Sequence, residues 1–228
     1  MSTANDDAAL AGGFAGALSP AVLAAFRAAG RTRRYPAGTT LLNEGDRSAS
    51  VILVEQGRVK ISSYTEDGRE IVLAVRGPGD LLGELSAIDG EPMSATAGAL
   101  DPVQATVLAV EDFSHFLNRH AEAGVVLLGI VTRRLRDADR KRIEFGAYDS
   151  VGRVARRLLE LAERFGETTA QGVRIALPLS QEEIAGWTGS SREAVSKALR
   201  ALRDRGLVDT GRKVITVLDI DGLRKRAD

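Results

Sequence analysis

Cysteine is absent from this chain of 228 residues, and histidine is nearly absent. Without thiols the chain forms no disulfide and no cysteine-ligated zinc or iron–sulfur site, and it has no thiol to sense redox changes. His115 and His120 are its only imidazoles. Two such histidines are more often structural or solvated than metal-binding, so we expect no metal site.

Long apolar runs are missing as well. The longest, Val125–Val131, is ended by Arg133 and Arg134, whereas a bilayer-spanning helix needs about 20 apolar residues. The N-terminus is polar, acidic and rich in alanine and glycine, without the charged and then apolar pattern of a signal peptide. We therefore expect a cytoplasmic protein with no membrane partner.

The residue combinations that enzymes use are also missing. The sequence offers no paired nucleophile and base, no cluster of metal ligands and no phosphate-loop lysine. We predict that the protein is not an enzyme.

The net charge is zero, with 31 basic and 31 acidic residues, but the two signs are separated along the chain. Residues 1–118 carry nine basic and 15 acidic residues, and residues 119–228 carry 22 basic and 16 acidic residues. A basic C-terminal half favours a nucleic acid as the partner of that half alone.

In the front half, a short helix precedes apolar runs that are separated by glycine turns. Residues 1–17 are expected to be disordered, and Ser19–Pro20 begins a helix that ends near Ala29, because proline suits the first helical position. Strand-like runs follow at 50–54, 58–64, 70–75 and 105–110, with turns at 56–57 and 66–68. This pattern predicts an antiparallel β-roll, or jelly roll.

Two helices are predicted after the roll, a short one over 111–118 and a long one over about 121–145. The long helix has an apolar stripe that includes Val125, Leu128, Leu135 and Ala138. A small roll cannot cover so long a helix. We therefore expect it to pair with a second copy of itself in a homodimer.

Residues 179–202 have the pattern of a helix-turn-helix. Ser180 and Glu183 form a capping box, Gly189 allows a sharp turn, and Ser190 or Ser191 can cap the second helix. The outward face of that second helix carries four polar side chains, which are Arg192, Glu193, Ser196 and Lys197. Arginine can bond guanine and glutamate can accept from cytosine, so this face predicts DNA reading.

A hairpin follows the helix-turn-helix and predicts the wing of a winged helix. Residues 208–218 alternate around a turn at Gly211, and Arg212 and Lys213 at this turn could hold backbone phosphate. Upstream, Asp149 is placed to cap a helix over 151–165. The predicted fold class is therefore α+β: an N-terminal β-roll, a long dimerisation helix and a C-terminal winged helix-turn-helix.

Motifs along nearly the whole chain, from about residue 20 to 225, resemble those of the CRP/FNR family of bacterial transcription regulators, and most closely those of actinobacterial cyclic-AMP receptor proteins. The motifs are Gly45–Asp46, Gly57–Lys60, Asp67–Glu70, Gly77–Asp80, Gly83–Ser86, Val151–Ala155 and Gly189–Glu193. The resemblance implies a cyclic-nucleotide-binding-like sensor, double-stranded DNA as a partner and contact with RNA polymerase. It implies that Arg192, Glu193 and Lys197 read GTGA and TCAC half-sites, and that Ser180, Ser191 and Lys213 contact phosphate.

The sensor departs from the cyclic-AMP pattern of the family. Members that bind cyclic AMP hold its phosphate with an arginine, where this chain has Met93, and its adenine with hydroxyl or amide side chains, where this chain has Ala138 and Asp139. The remaining pocket positions that the resemblance implies are Gly83, Glu84, Leu85, Ser86 and Ser94. Ordinary cyclic-AMP control is therefore disfavoured, because a buried phosphate without its cation loses a strong hydrogen bond.

Three alternatives remain for the sensor. It binds no effector, or it binds a more apolar ligand in the same pocket, or it binds an anion such as a cyclic dinucleotide through Arg136 and Arg140 of the long helix. The same basic run is also typical of a solvated or DNA-facing helix end. Haem is disfavoured, since His115 and His120 lie on the helix after the roll, away from the expected pocket.

The predicted domains are an N-terminal tail and β-roll sensor over 1–118, a dimerisation helix and hinge over 119–148, and a winged helix-turn-helix over 149–228. The second functional hypothesis is a nucleotide-sensing module whose winged helix binds a protein instead of DNA. The basic C-terminal half and the exposed Arg192–Glu193 pair favour DNA.

Overall fold

The fold is described from a computed structural model, which covers residues 13–47, 49–176, 179–211 and 213–227. The density of internal contacts divides the chain into two units. The first, called the sensor unit, consists of residues 1–63 and 73–137, and the second, called the reader unit, consists of residues 64–72 and 138–228. The α+β fold class is confirmed.

Two four-stranded sheets form the β-roll. Their strands are β1 (Arg31–Tyr35), β2 (Thr40–Leu42), β3 (Ser50–Gln56), β4 (Val59–Tyr64), β5 (Glu70–Arg76), β6 (Leu81–Leu82), β7 (Thr96–Ala99) and β8 (Val103–Ala109). One sheet has the order β1-β8-β3-β6, and the other has the order β2-β7-β4-β5. In the first sheet, β3 pairs with β8 over six positions, in antiparallel register. Buried valine, leucine and alanine side chains fill the space between the sheets.

Helices pack against the first sheet, where they share a buried cluster with Val51, Leu53, Leu81 and Leu108. They are α1 (Gly13–Ala17), α2 (Pro20–Ala29), α3 (Glu84–Asp89), α4 (Val110–Arg119) and the long α5 (Ala121–Ala147). Ser19 caps α2 and proline opens it, as predicted. Fully buried Phe14 of α1 meets Phe26 edge-on, with ring centroids 5.7 Å apart. The prediction that residues 13–17 are disordered was therefore wrong, because this aromatic contact anchors them; residues 1–12 lie outside the described range.

The long helix α5 has two apolar faces in its sensor-unit portion. One face buries Ala123, Leu127 and Ile130 in the same cluster as Phe26. On the other face, Val125, Leu128 and Leu135 are 72%, 67% and 63% exposed. One apolar face of α5 therefore packs in the core of the sensor unit, and the other forms an exposed apolar stripe.

Among the described residues, no helix is both long and apolar enough to cross a membrane.

The reader unit surrounds a buried helix, α6 (Ser150–Phe165), which Asp149 caps as predicted. The hairpin β9 (Glu167–Thr169) and β10 (Gly172–Ala176) follows, and then α7 (Gln181–Thr188) and α8 (Arg192–Asp204). The wing strands are β11 (Val208–Gly211) and β12 (Val214–Val217), and the last helix is α9 (Ile220–Ala227). The wing is half of a four-stranded sheet with the order β11-β12-β10-β9.

Candidate nucleic-acid interface and effector pocket

The helix-turn-helix forms as its capping residues dictate. The Ser180 hydroxyl accepts from the Glu183 backbone N–H at 3.2 Å, and the Glu183 carboxylate accepts from the Ser180 N–H at 2.8 Å. Gly189 ends α7 in the left-handed region, at φ +56°. Ser191 then caps α8 by accepting from Ala194 N–H at 3.1 Å. These caps set the angle at which α8 leaves the turn.

Helix α8 presents a polar face opposite a buried one. Val195, Ala198, Leu199 and Leu202 are buried against the rest of the reader unit. The four side chains predicted to meet DNA, Arg192, Glu193, Ser196 and Lys197, are all exposed, and the first two lie in the first helical turn. The structure therefore brings the predicted base readers together on one accessible face.

The residues predicted to contact phosphate lie at two helix N-termini and in the wing. Ser180 and Ser191 both sit at helix N-termini, where their hydroxyls accept backbone N–H groups. Lys213 is exposed at the wing turn with a left-handed backbone, at φ +57°, a conformation that costs a non-glycine residue energy. Arg212 lies outside the described residues. Arg203 Nη1 donates to Thr210 Oγ1 at 3.0 Å and so ties α8 to the first wing strand.

Arg153 forms hydrogen bonds to the turn between α7 and α8. Its Nε donates to the Thr188 carbonyl at 2.7 Å, its Nη2 donates to Ser190 Oγ at 3.2 Å, and its Nη1 donates to the Tyr148 carbonyl. One guanidinium thus joins the turn between α7 and α8, called the recognition turn below, to the segment before α6. From the sequence, Arg153 is visible only as part of a family motif, with no indication of these partners.

The last turns of α5 pack on the same region. Glu144 forms a buried ion pair with Arg157, with side chains 9% and 5% exposed, and lies 3.4 Å from Arg156. Phe145 lies against Gly189, so closely that a Cβ added to the glycine would be 2.3 Å from a ring carbon. Trp187 lies under two cations, Lys141 and Arg157, each just under 6 Å from the ring centroid.

The sensor unit contains the predicted pocket residue Glu84, which is buried at 2% exposure. Its carboxylate is already bonded by Arg134 Nη1, and Arg134 Nη2 donates to the Leu81 carbonyl at 3.1 Å. The resemblance assigns this carboxylate to a ribose hydroxyl. In the sequence, Arg134 appears only as one of two arginines that end an apolar run, so its role as the partner of Glu84 is new.

The other predicted pocket residues have diverse surroundings. Gly83 is buried with φ +79°, Ser86 and Met93 are half-buried, and Leu85 and Ser94 are exposed. The backbone of Met93 is fixed by two hydrogen bonds of 2.8 Å, one to Gly45 and one to Asp46. Ala138 and Asp139 belong to the reader unit and are exposed, as is the predicted anion-binding Arg140. The other anion-binding candidate, Arg136, is exposed in the sensor unit.

Two models of known protein families match this chain, one in each half. A cyclic nucleotide-binding domain matches residues 32–120, and a Crp-like helix-turn-helix domain matches residues 152–226. A CRP-like cAMP-activated global transcriptional regulator of Mycobacterium tuberculosis is 34% identical over 96% of this chain and 97% of its own length. The chain belongs to the CRP/FNR family.

Other CRP/FNR relatives agree with this assignment. The cyclic AMP receptor protein of Thermus thermophilus is 32% identical over 81% of this chain and 82% of its own length. A solved CRP family transcriptional regulator from the same organism is 30% identical, with a TM-score of 0.73, over 86% of this chain and 96% of that one. The c-di-GMP responsive global regulator CLP of Xanthomonas campestris is 25% identical, with a TM-score of 0.74, over 87% of this chain and 99% of that one.

Membership of the CRP/FNR family confirms the main functional prediction. The chain is a DNA-binding transcription regulator with a cyclic nucleotide-binding domain, and it is not an enzyme. The face of α8 that is predicted to read bases lies within the matched helix-turn-helix domain, and the Glu84–Met93 segment lies within the matched nucleotide-binding domain.

Proposed function

We propose that this protein is a homodimeric regulator that reads a palindromic DNA site with GTGA and TCAC half-sites. The observation that carries the proposal is the exposed first turn of α8, where Arg192 and Glu193 present a guanine-bonding and a cytosine-bonding group side by side. Lys197 lies one turn further along the same exposed face. The half-site sequence itself comes from the family resemblance, and RNA polymerase at the promoter is the partner that the same resemblance suggests.

The dimer is supported by the uncovered stripe on α5. Val125, Leu128 and Leu135 are large apolar side chains at helical spacing, and each is more than half exposed in a single chain. A second copy of α5 would remove this area from water, which stabilises association in proportion to the area buried. Two copies would also present two α8 helices, which suits half-sites about 34 Å apart.

The DNA proposal is tested by the Arg192→Ala substitution. Fluorescence anisotropy would compare binding to a GTGA/TCAC palindrome with binding to the same duplex whose GTGA guanines are replaced. Because a bidentate base contact contributes about 1–3 kcal/mol of discrimination, the variant is expected to lose roughly 5- to 150-fold in preference for the palindrome.

Arg200→Ala is the matched control, because Arg200 is exposed on the same helix but lies outside its first turn. It is expected to weaken binding to both duplexes alike. Unchanged discrimination in the Arg192 variant would refute the base-reading role. Failure of the unaltered protein to prefer the palindrome would refute the site.

For the sensor, we propose control by something other than ordinary cyclic AMP. The phosphate-holding arginine of the family is replaced by Met93, and Glu91 nearby adds negative charge. Arg134, the guanidinium bonded to Glu84, already has its charge balanced by that carboxylate. A cyclic phosphate entering there would find little net positive charge to offset the loss of its hydration.

Two forms of this proposal remain, effector-independent activity and a different ligand. A cyclic dinucleotide is the leading ligand, since exposed Arg136 and Arg140 offer cations on α5. It also gains support from the likeness to the c-di-GMP responsive regulator of Xanthomonas campestris. Isothermal calorimetry of the purified protein with cyclic AMP, cyclic GMP and cyclic dinucleotides distinguishes the forms.

Met93→Arg is the variant that tests the missing cation. Restoring a charge-assisted hydrogen bond of about 1.5–3 kcal/mol should tighten cyclic-AMP binding by roughly 10- to 150-fold in calorimetry. Met93→Leu, which changes the shape but not the charge, should leave it unaltered. Tight, saturable cyclic-AMP binding by the unaltered protein would overturn the proposal.

A further inference from the structure

Tyr148 and Asp149 connect α5 to α6. Both residues contact α6, Tyr148 through the side chains of two arginines and Asp149 through a backbone N–H. The Tyr148 carbonyl accepts a hydrogen bond from Arg153, and the centroid of its ring lies 4.8 Å from the guanidinium carbon of Arg156. Asp149 accepts the Gly152 N–H at 2.7 Å as the N-cap of α6. These two residues are called the hinge below, and the first two turns of α6 fix its conformation.

The C-terminal helix α9 reaches the same hinge. Arg226 Nη2 lies 2.7 Å from one carboxylate oxygen of Asp149 and 2.6 Å from the other. The Ala227 carbonyl accepts from Arg156 Nε at 3.1 Å and from Arg156 Nη2 at 2.8 Å. Nη1 of Arg156 also lies 3.4 Å from Oε1 of Glu144, in the last turns of α5. The last turn of α9 is therefore linked to the hinge and, through Arg156, to α5.

These contacts are specific rather than incidental. Leu223 is fully buried and Ala227 nearly so, which fixes α9 on α6. The Ala227 carbonyl lies in the last turn of α9, where carbonyls have no partner within the helix and favour a cation. Arg226 passes close to the start of α6, since a Cβ added to Gly152 would be 3.3 Å from Arg226 Nη1. The bond from Gly152 and then that from Arg226 also hold the pKa of Asp149 below its ordinary value.

We propose that α9 clamps the hinge, with Arg226 as the positioning residue for Asp149. A change of backbone angles at Tyr148 or Asp149 moves the Asp149 carboxylate away from Arg226 and moves Glu144 relative to the Arg156–Ala227 contact. Turning α6 against the end of α5 must therefore break contacts to α9. The Arg226 and Asp149 side chains are 26% and 61% exposed, so water screens the pair and the clamp biases the hinge without locking it.

Hydrogen exchange of the full-length protein tests the clamp. Arg226→Gln should accelerate exchange of the amides in residues 144–153 by about 2- to 10-fold, because local opening no longer breaks this pair. Arg224→Gln is the matched control. It removes the same charge from the same helix, but Arg224 contacts Asp221 and Glu163 instead of the hinge. Equal exchange of the hinge in the two variants would overturn the proposal.

A second variant addresses the chance that Arg226→Gln detaches α9 altogether. Asp149→Asn keeps a good N-cap for α6 and leaves α9 untouched, yet removes the charge that Arg226 binds. It should accelerate hinge exchange to a similar extent while amides of 220–227 stay protected, and the double variant should add nothing further. Independent, additive effects would overturn the clamp. These readouts need no DNA, so they stand or fall separately from the proposed DNA site.

Discussion

At the scale of single residues, Gly189 carries the geometry of the recognition turn. Its φ of +56° is costly for any residue with a Cβ, and a Cβ there would also displace the ring of Phe145. We expect Gly189→Ala to lower the free energy of unfolding of the reader unit by about 1–3 kcal/mol. Urea denaturation followed by circular dichroism measures the change.

Gly206→Ala separates the two causes in this prediction. Gly206 has a similar φ of +69°, but nothing lies within 4 Å of the place a Cβ would occupy. It should therefore show the backbone cost alone and destabilise less than Gly189→Ala. Adding Phe145→Ala to the Gly189 variant should recover the difference. A Gly189 variant as stable as the Gly206 variant would show that Phe145 yields freely.

Exposed residues were predictable from the sequence, whereas buried partners were not. Arg192 and Glu193 follow from a cap, a turn glycine and helical periodicity, which are all local signals. The partner of Glu84 is Arg134, 50 positions away, and Arg153 bonds the turn 35 positions away. A long guanidinium reaches partners that no periodicity relates to it, so such pairs become visible only after the chain has folded.

At the scale of elements, capped helices and long apolar strands were predictable, while short polar elements were not. Helices α2, α6 and α7 begin where Ser19, Asp149 and Ser180 predicted. Strand β1 was missed because it is an edge strand with exposed arginines, and its charges obscure the alternation of a buried strand. Helix α9 was missed because it is short and charged, with its stability in the contacts of Leu223 and Arg226.

The exposed stripe of α5 gives the element-scale prediction. Leu128→Glu places a charge in the middle of the stripe, and burying that charge against a second α5 would be strongly unfavourable. We expect the variant to be monomeric at concentrations where the unaltered protein is dimeric, with its circular dichroism unchanged. Sedimentation velocity measures the difference.

Leu128→Met is the control, because it keeps an apolar side chain of similar volume. It should remain dimeric. Should Leu128→Glu sediment like the unaltered protein, the stripe is not the dimer contact, and the association would have to use another surface.

At the scale of the whole molecule, one helix belongs to both units. The division by contact density falls between Asp137 and Ala138, inside α5. On the sensor side Leu127 and Ile130 are buried, and on the reader side Glu144 is buried with Arg157. A single periodic helix gives no sequence signal of this change of partners, which is why sequence boundaries were drawn at the ends of the helix instead. The two units are therefore connected through one continuous helix.

Trp187 is the only tryptophan of the chain. Its indole N–H is buried and has no hydrogen-bond partner among the described residues. The ring lies under Lys141 from α5 and Arg157 from α6, so its surroundings depend on both sides of the hinge. The emission of an indole shifts in wavelength when nearby charges move. The protein thus contains its own fluorescent probe. Any effector that turns α6 against α5 would be detected as a shift in the emission wavelength of Trp187, without an attached dye.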